Sequence, residues 1–314
     1  MRTEAVHFRS DGVQLRGLLR LPEDASFPVR GLPVIVQGPG WLGLADAAHY
    51  ARYHEAFVAR GFAVLVFDYR GFGASDGEPG WILPEAQIAD IRSAIDFASA
   101  QPIIDRSRIG LFGMGGTGAG NVIVSGARDP RVRCLVAYHV VADGADWLRR
   151  MRTSEEWDAF LVRVGADRER RSRGEAGEMV DPREELMVAS AERRGHAAKR
   201  DLDARLPARF HLASADALLA YRPIDEVEHV GRLLVATVMG DTVTPEDHAL
   251  AVYARARSPK RLVRVRGVGH YEADARCFDA LAREFGDWFE RCLGDGEPPV
   301  GESVVEIEPS AVPA

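Results

Sequence analysis

A chain of 314 residues with 46% apolar content is long enough to bury the core of one large α/β domain. Its formal net charge of −7 excludes the basic face of a nucleic-acid binder, and no run approaches the roughly 18 apolar residues of a membrane helix. The N-terminal MRTEAVHFRS has no apolar segment behind its charges, and Cys134, Cys277 and Cys292 follow no metal spacing, so the expectation is a cytoplasmic protein with reduced thiols.

In chain order, residues 4–9 and 13–20 read as two strands around the turn Ser10-Asp11-Gly12. Residues 32–37 (LPVIVQ) form a buried strand ended by Gly38-Pro39-Gly40, and residues 44–60 a helix ended by Gly61. The strand 63–68 (AVLVFD) precedes a helix over 83–101. The strand 108–114 (RIGLFGM) runs straight into a small-residue helix at 116–126. Strands follow at 131–139 and 232–239, then a helix capped by Thr244 with Pro245 at its first position. Residues 261–267 are read as the last strand and 275–293 as the last long helix. Continuous apolar strands alternating with helices predict a mostly parallel sheet covered on both faces.

The stretch between Val141 and Arg232 breaks this rhythm, being far longer than one crossover helix needs. It carries a capping box, Thr153 to Glu156, and apolar residues for a small core in Trp147, Trp157, Phe160, Leu161 and Met187. Residues 143–222 are therefore expected to form a helical cap whose inner face lines a pocket, with the core made of 1–142 and 223–293. From Gly294 onward the chain is Pro-rich and acidic, and 294–314 is expected to be a loosely attached tail.

Four segments resemble the α/β-hydrolase superfamily, closest to its Xaa-Pro dipeptidyl-peptidase-like and polyketide-transferase-like branch. They are Gly38-Pro39-Gly40-Trp41, the loop from Asp68 to Gly77 (DYRGFGASDG), Gly240-Asp241-Thr242-Val243-Thr244-Pro245, and Gly267-Val268-Gly269-His270. The resemblance spans roughly residues 4–293 and implies an α/β-hydrolase fold with an eight-stranded sheet. It also implies a carboxylate, Asp241, orienting a histidine, His270, with no cofactor and no metal.

The nucleophile segment departs from that pattern. The family's Gly-x-Ser-x-Gly elbow is here Gly113-Met114-Gly115-Gly116-Thr117, so a glycine, Gly115, stands where the nucleophile belongs. Glycine suits a strained turn but offers no attacking atom. Ser75 matches the motif by letters, in a loop without the strand–turn–helix context, and is read as a turn residue. Thr117 falls two residues late, inside the helix. Oxyanion donors would be the backbone N–H of Gly116 together with Gly40 or Trp41, since Pro39 has none. His139 and Asp143, near the carboxyl end of their strand, and Thr117, in the first turn of its helix, are candidates for substrate contact.

These residues support three functions. The first is acid/base chemistry by His270 and Asp241 without a covalent intermediate, favouring a lyase-type elimination on a small, apolar secondary metabolite. Decarboxylation, isomerisation and cyclisation belong to the same class. The second is hydrolysis by water activated at His270, and the third a non-catalytic ligand-binding protein. Trp41, Trp81 and Trp147 favour an aromatic or apolar ligand. Expected partners are a small-molecule substrate and, at most, a second copy of the chain, with neither nucleic acid nor membrane.

Overall fold

The computed structural model describes residues 1–23, 30–40, 43–188 and 205–309. Strands β1 (Arg2–Ser10) and β2 (Val13–Leu21) form the N-terminal hairpin, turning at Asp11 and Gly12, both with positive φ. There follow β3 (Leu32–Gly38), α1 (Ala48–Ala59), β4 (Ala63–Phe67), α2 (Pro84–Ser99), β5 (Ile104–Met114), α3 (Gly116–Arg128) and β6 (Val132–Tyr138). Helices α4 (Gly144–Arg150) and α5 (Ser154–Ser172), the two-residue strands β7 (Met179–Val180) and β8 (Phe210–His211), and α6 (Ser214–Leu219) make up the segment before β9 (Leu233–Val238). The chain closes with α7 (Glu246–Arg255), β10 (Lys260–Val265), α8 (Phe278–Leu293) and β11 (Glu302–Ile307).

The strands form one sheet in the order β1-β2-β4-β3-β5-β6-β9-β10-β11, parallel except where β2 pairs with β1 and β4. Side chains alternate between two cores. Val34, Val36, Leu111, Leu135 and Val235 face one, packed by α2 and α3. Ile35, Phe112, Val136, Leu234 and Ala236 face the other, packed by α1 and α8. This period of two, with both faces buried, explains why the strands read as continuous apolar runs. The chain steps from β3 to β4 on one side and returns to β5 on the other, so the strand order reverses between β3 and β5. Such a switch point opens a crevice at the carboxyl ends of the strands, where Gly40 and Gly115 lie.

Three sequence expectations need correction. The sheet has nine strands, because Glu302–Ile307 adds in parallel to β10, with Lys260 opposite Glu302 and Val265 opposite Ile307. Residues 302–307 are thus not loosely attached; Ile307 is buried while Val304 is exposed, which is the one-sided burial of an edge strand. The helix after β9 has Pro245 at its N-cap and no capping side chain, so Thr244 is not its cap. Leu161 is exposed and does not join Phe160 and Met187 in a core.

Between β6 and β9, α5 begins with the expected capping box, in which Thr153 Oγ1 accepts from the Glu156 N–H and the Glu156 carboxylate accepts from the Thr153 N–H. Trp147 of α4 is buried and donates its indole N–H to the Val243 carbonyl at 2.8 Å. His248 of α7 meets Asp146 of α4 at 2.7 Å and accepts the Ala142 N–H. These contacts seat α4 directly on the loop after β9. Among the described residues no helix is long and apolar enough to cross a membrane.

Candidate active site

Asp241 leaves the end of β9 through Gly240, at φ 71°, and folds back on its own loop. Oδ1 accepts the backbone N–H groups of Val243 (2.8 Å) and Thr244 (3.0 Å). Oδ2 accepts the Thr244 hydroxyl (2.9 Å) and faces His270 Nδ1 at 2.7 Å. Sequence reasoning missed this role of Thr244; a hydroxyl three residues after a carboxylate is the local signal that was available. Asp241 and His270 are therefore brought together, His270 arriving from the loop after β10 and remaining partly open to solvent. Burial pushes the Asp241 carboxyl up, but His270 and His139 outweigh it and hold it well below the usual carboxylate range.

His139 joins this pair. It is 2% exposed, its ring stacks between Tyr138 (centroids 3.8 Å apart) and His270 (4.0 Å), and its Nδ1 lies 3.2 Å from Asp241 Oδ2. Burial first, then the neighbouring His270, lowers its pKa to about 4, against the pull of Asp241, so the ring is neutral near pH 7. The structure thus places it against the dyad, where the sequence suggested only substrate contact.

Gly115 sits at φ 76°, ψ 141°, a conformation that essentially only glycine holds. Its N–H donates to Tyr138 O and its carbonyl accepts from Gly118 N. Among the described residues, packing does not demand glycine there: an added Cβ would meet nothing closer than Gly40 Cα at 4.0 Å. The demand is conformational. At Gly118 it is steric, since a Cβ would stand 2.4 Å from the Pro39 carbonyl.

The oxyanion donors divide. Gly116 begins α3, and a helix makes no use of its first-turn N–H groups. The Gly40 N–H is already given to the Tyr50 hydroxyl at 2.7 Å, so Gly40 is not available as the second donor. Trp41 lies outside the described residues.

Other candidates have structural roles. Asp143 caps α4 through Oδ1 and pairs with Arg222 through Oδ2. Ser75 donates to Asp68 O and accepts the Arg16 N–H, as a turn residue should. Thr117 is fully buried, and among the described residues its hydroxyl has no partner. A cavity of about 310 Å³ near Trp81 is lined also by Arg70, Glu78 and Gln87, none of which touches the dyad. Trp81 itself stacks on His211 at 4.1 Å.

Among the described residues, one donor atom each of His139, Asp241 and His270 lie within 4.8 Å of one another, a set that could in principle hold a metal ion. The carboxylate argues otherwise. Its two oxygens offer about four lone-pair sites, and Val243, Thr244 twice and His270 occupy as many. The set is a hydrogen-bonded acid/base cluster.

The sequence matches the X-Pro dipeptidyl-peptidase (S15) family over residues 11–270. It is 30% identical, over 83% of this chain and 91% of the other, to an uncharacterized 31.7 kDa protein of the traX-finO intergenic region of Escherichia coli. It is 24% identical to the polyketide transferase claH of Penicillium crustosum, over 93% of this chain and 98% of that one. Among solved structures, the α/β hydrolase GrgF from Penicillium sp. sh18 superposes with a TM-score of 0.79 at 22% identity, covering 93% of this chain and 99% of the other.

Proposed function

The chain belongs to the X-Pro dipeptidyl-peptidase (S15) family of α/β-hydrolase-fold proteins, and from that premise we propose that it is an acid/base enzyme that works without a covalent intermediate. The observation that carries this reading is a complete Asp241–His270 pair beside an elbow whose residue 115 has no side chain. Asp241 holds the proton on His270 Nδ1, which leaves Nε2 as a base.

The step that fits best is lyase-type elimination on a small, apolar secondary metabolite. Nε2 takes a proton from the carbon next to a carbonyl. The electron pair left behind forms the C=C bond as the β-substituent departs, and the leaving group takes the proton back from Nε2. A positioned base supplies typically 10²–10⁴-fold, enough for a carbonyl-activated C–H. Chemistry of this kind asks less of an oxyanion hole than acyl transfer does, and the Gly40 N–H is engaged elsewhere. The relative named as a polyketide transferase supports a carbonyl-rich substrate. The helix α4 is seated on the Asp241 loop by Trp147, which supports a substrate bound between this helix and the dyad.

A second reading is hydrolysis, with His270 activating water for direct attack; membership of a peptidase family favours it. One experiment separates the two. A β-hydroxyacyl N-acetylcysteamine thioester is incubated with the protein in D2O and, separately, in H2¹⁸O. Elimination gives the unsaturated thioester, with deuterium entering the α-carbon in the reverse direction. Hydrolysis puts ¹⁸O into the free acid. Turnover that survives His270→Ala would remove both readings.

A further inference from the structure

We propose that His139 is a positioning residue of the Asp241–His270 pair: it fixes the plane of the His270 ring and helps keep the His270 Nδ1–H on Asp241. The proposal rests on the reading of His270 as the acid/base group.

The backbone is the first observation. Only Asp11 and His139 among the described non-glycine residues have positive φ. Asp11 sits in a hairpin turn, where that conformation is ordinary. His139, at φ 59°, stands at the end of a buried central strand, where nothing local favours it. Its N–H is fixed to the Ala236 carbonyl of β9 at 3.0 Å, so the neighbouring strand holds the strained residue in place. Strain of this kind persists only where the surroundings over-determine it, and such positions cluster at functional sites.

The side chain is the second observation. The ring lies between Tyr138, at 25° to its plane, and His270, at 38°. A flat neutral ring 4.0 Å from His270 limits how far the His270 imidazole can tilt. Nδ1 of His139 is 3.2 Å from the same Oδ2 that takes His270 Nδ1. A lone pair facing a carboxylate oxygen would be repelled, so this nitrogen carries the hydrogen, though the approach is not aligned as a full hydrogen bond. Nε2 is then a buried acceptor without a partner among the described residues. A ring this buried and this poorly satisfied is an expensive way to fill space, which an apolar residue would fill better. What it supplies is an N–H edge beside Oδ2, outside the bonds from Thr244 and His270, and a wall for His270. Because burial keeps it neutral, it does so without placing a like charge beside an imidazolium on His270.

The test reads the His270 ring rather than fold or turnover alone. The ¹⁵N-labelled full-length protein should show a downfield His270 Nδ1–H proton and a single tautomer in long-range ¹H–¹⁵N spectra, assigned by its loss in His270→Ala. In His139→Leu, with the remaining spectrum preserved, that proton should broaden or vanish and the tautomers should mix. His139→Asn, which retains a polar donor and tolerates positive φ, should weaken the signal through loss of the ring wall, and it serves if the Leu variant does not fold. With the thioester probe, kcat should fall about 10- to 100-fold with little change in KM, as part of the base's contribution is lost. A His270 Nδ1–H signal that persists unchanged in either folded variant overturns the role of His139. Its absence from the wild-type protein overturns the acid/base reading of His270 together with this proposal.

Discussion

Gly115→Ser is the perturbation that most directly separates a lost nucleophile from a rebuilt elbow. If the glycine were a simple deletion of a side chain, restoring serine would cost nothing and return a triad. The backbone says otherwise. At φ 76°, ψ 141° a side chain costs of order 1–3 kcal/mol. The described residues add no steric cost, because their nearest atom to a new Cβ is 4.0 Å away. The expected loss of unfolding free energy is therefore about 1–3 kcal/mol, equal within error for Gly115→Ala and Gly115→Ser, since both add a Cβ to the same torsions. Urea denaturation should show a lower midpoint at unchanged slope. Chemistry should not return either: with the Gly40 N–H bound to Tyr50, acyl transfer at the described donors lacks one partner, a deficit of roughly 10²–10³ in rate. Fluorophosphonate probes should leave Gly115→Ser unlabelled. The reasoning is refuted if Gly115→Ser matches the parent in stability and is labelled in a His270-dependent manner. The elbow would then be an intact serine site lacking only its side chain.

Three further outcomes follow from other parts of the molecule. Burial holds His139 at a pKa of about 4 and His54 at about 3, against 6.5 for a free histidine, so the unfolded chain binds protons at a pH where the native state does not. Stability should be full above pH 6.5 and fall as pH drops toward 4, with His139 alone contributing about 3 kcal/mol at ~1.36 kcal/mol per pKa unit; urea midpoints that stay flat between pH 7 and 4.5 would contradict this. Tyr50→Phe removes the acceptor of the buried Gly40 N–H and should cost about 1–3 kcal/mol in the same denaturation assay, while an unchanged midpoint would mean that the N–H finds another acceptor. Truncation after residue 297 deletes β11 together with its buried Ile307 and uncovers the β10 edge, so the melting temperature should drop and aggregation rise; an unaltered melt would show that the strand contributes nothing.

How much of this was legible in the sequence depends on the range of the forces involved. The parallel strands were readable because both faces of each are buried, which leaves runs such as Val34-Ile35-Val36 without polar interruption. Asp241, His270 and the Gly113–Thr117 elbow were readable because each is tied to a strand end and a recognisable loop. β11 was missed because an edge strand buries one side only, and Ser303-Val304-Val305 amid Pro and Glu resembles a solvated tail. The Tyr50–Gly40 bond and the place of His139 were not legible at all. The first depends on how α1 packs under the β3 loop, the second on a positive φ that no local residue announces. Thr244 was misassigned because one hydroxyl can cap a helix or brace a carboxylate, and only the observed torsions decide between them.

The trio of Asp241, His139 and His270 also bears on whether a chain with glycine at residue 115 should be read as an enzyme at all. Removing a carboxylate and a histidine from water costs several kcal/mol, and well-packed apolar residues in their place are commonly neutral or stabilising. A scaffold that merely held a ligand would gain from such replacements. Here the Asp241 side chain has no exposed surface, four hydrogen bonds saturate it, and a strained histidine is held against it. All of that structure converges on one partly open imidazole whose Nδ1 is fixed, and under the proposed function its Nε2 is left for a substrate proton. Replacing Asp241 by an apolar residue leaves the buried Val243 and Thr244 N–H groups and the Thr244 hydroxyl without their acceptor, so a double variant that also replaces His139 should lose thermal stability as well as thioester turnover. A double variant that turns over substrate normally would show the Asp241–His139 part of the cluster to be structural and would overturn the proposed acid/base reading.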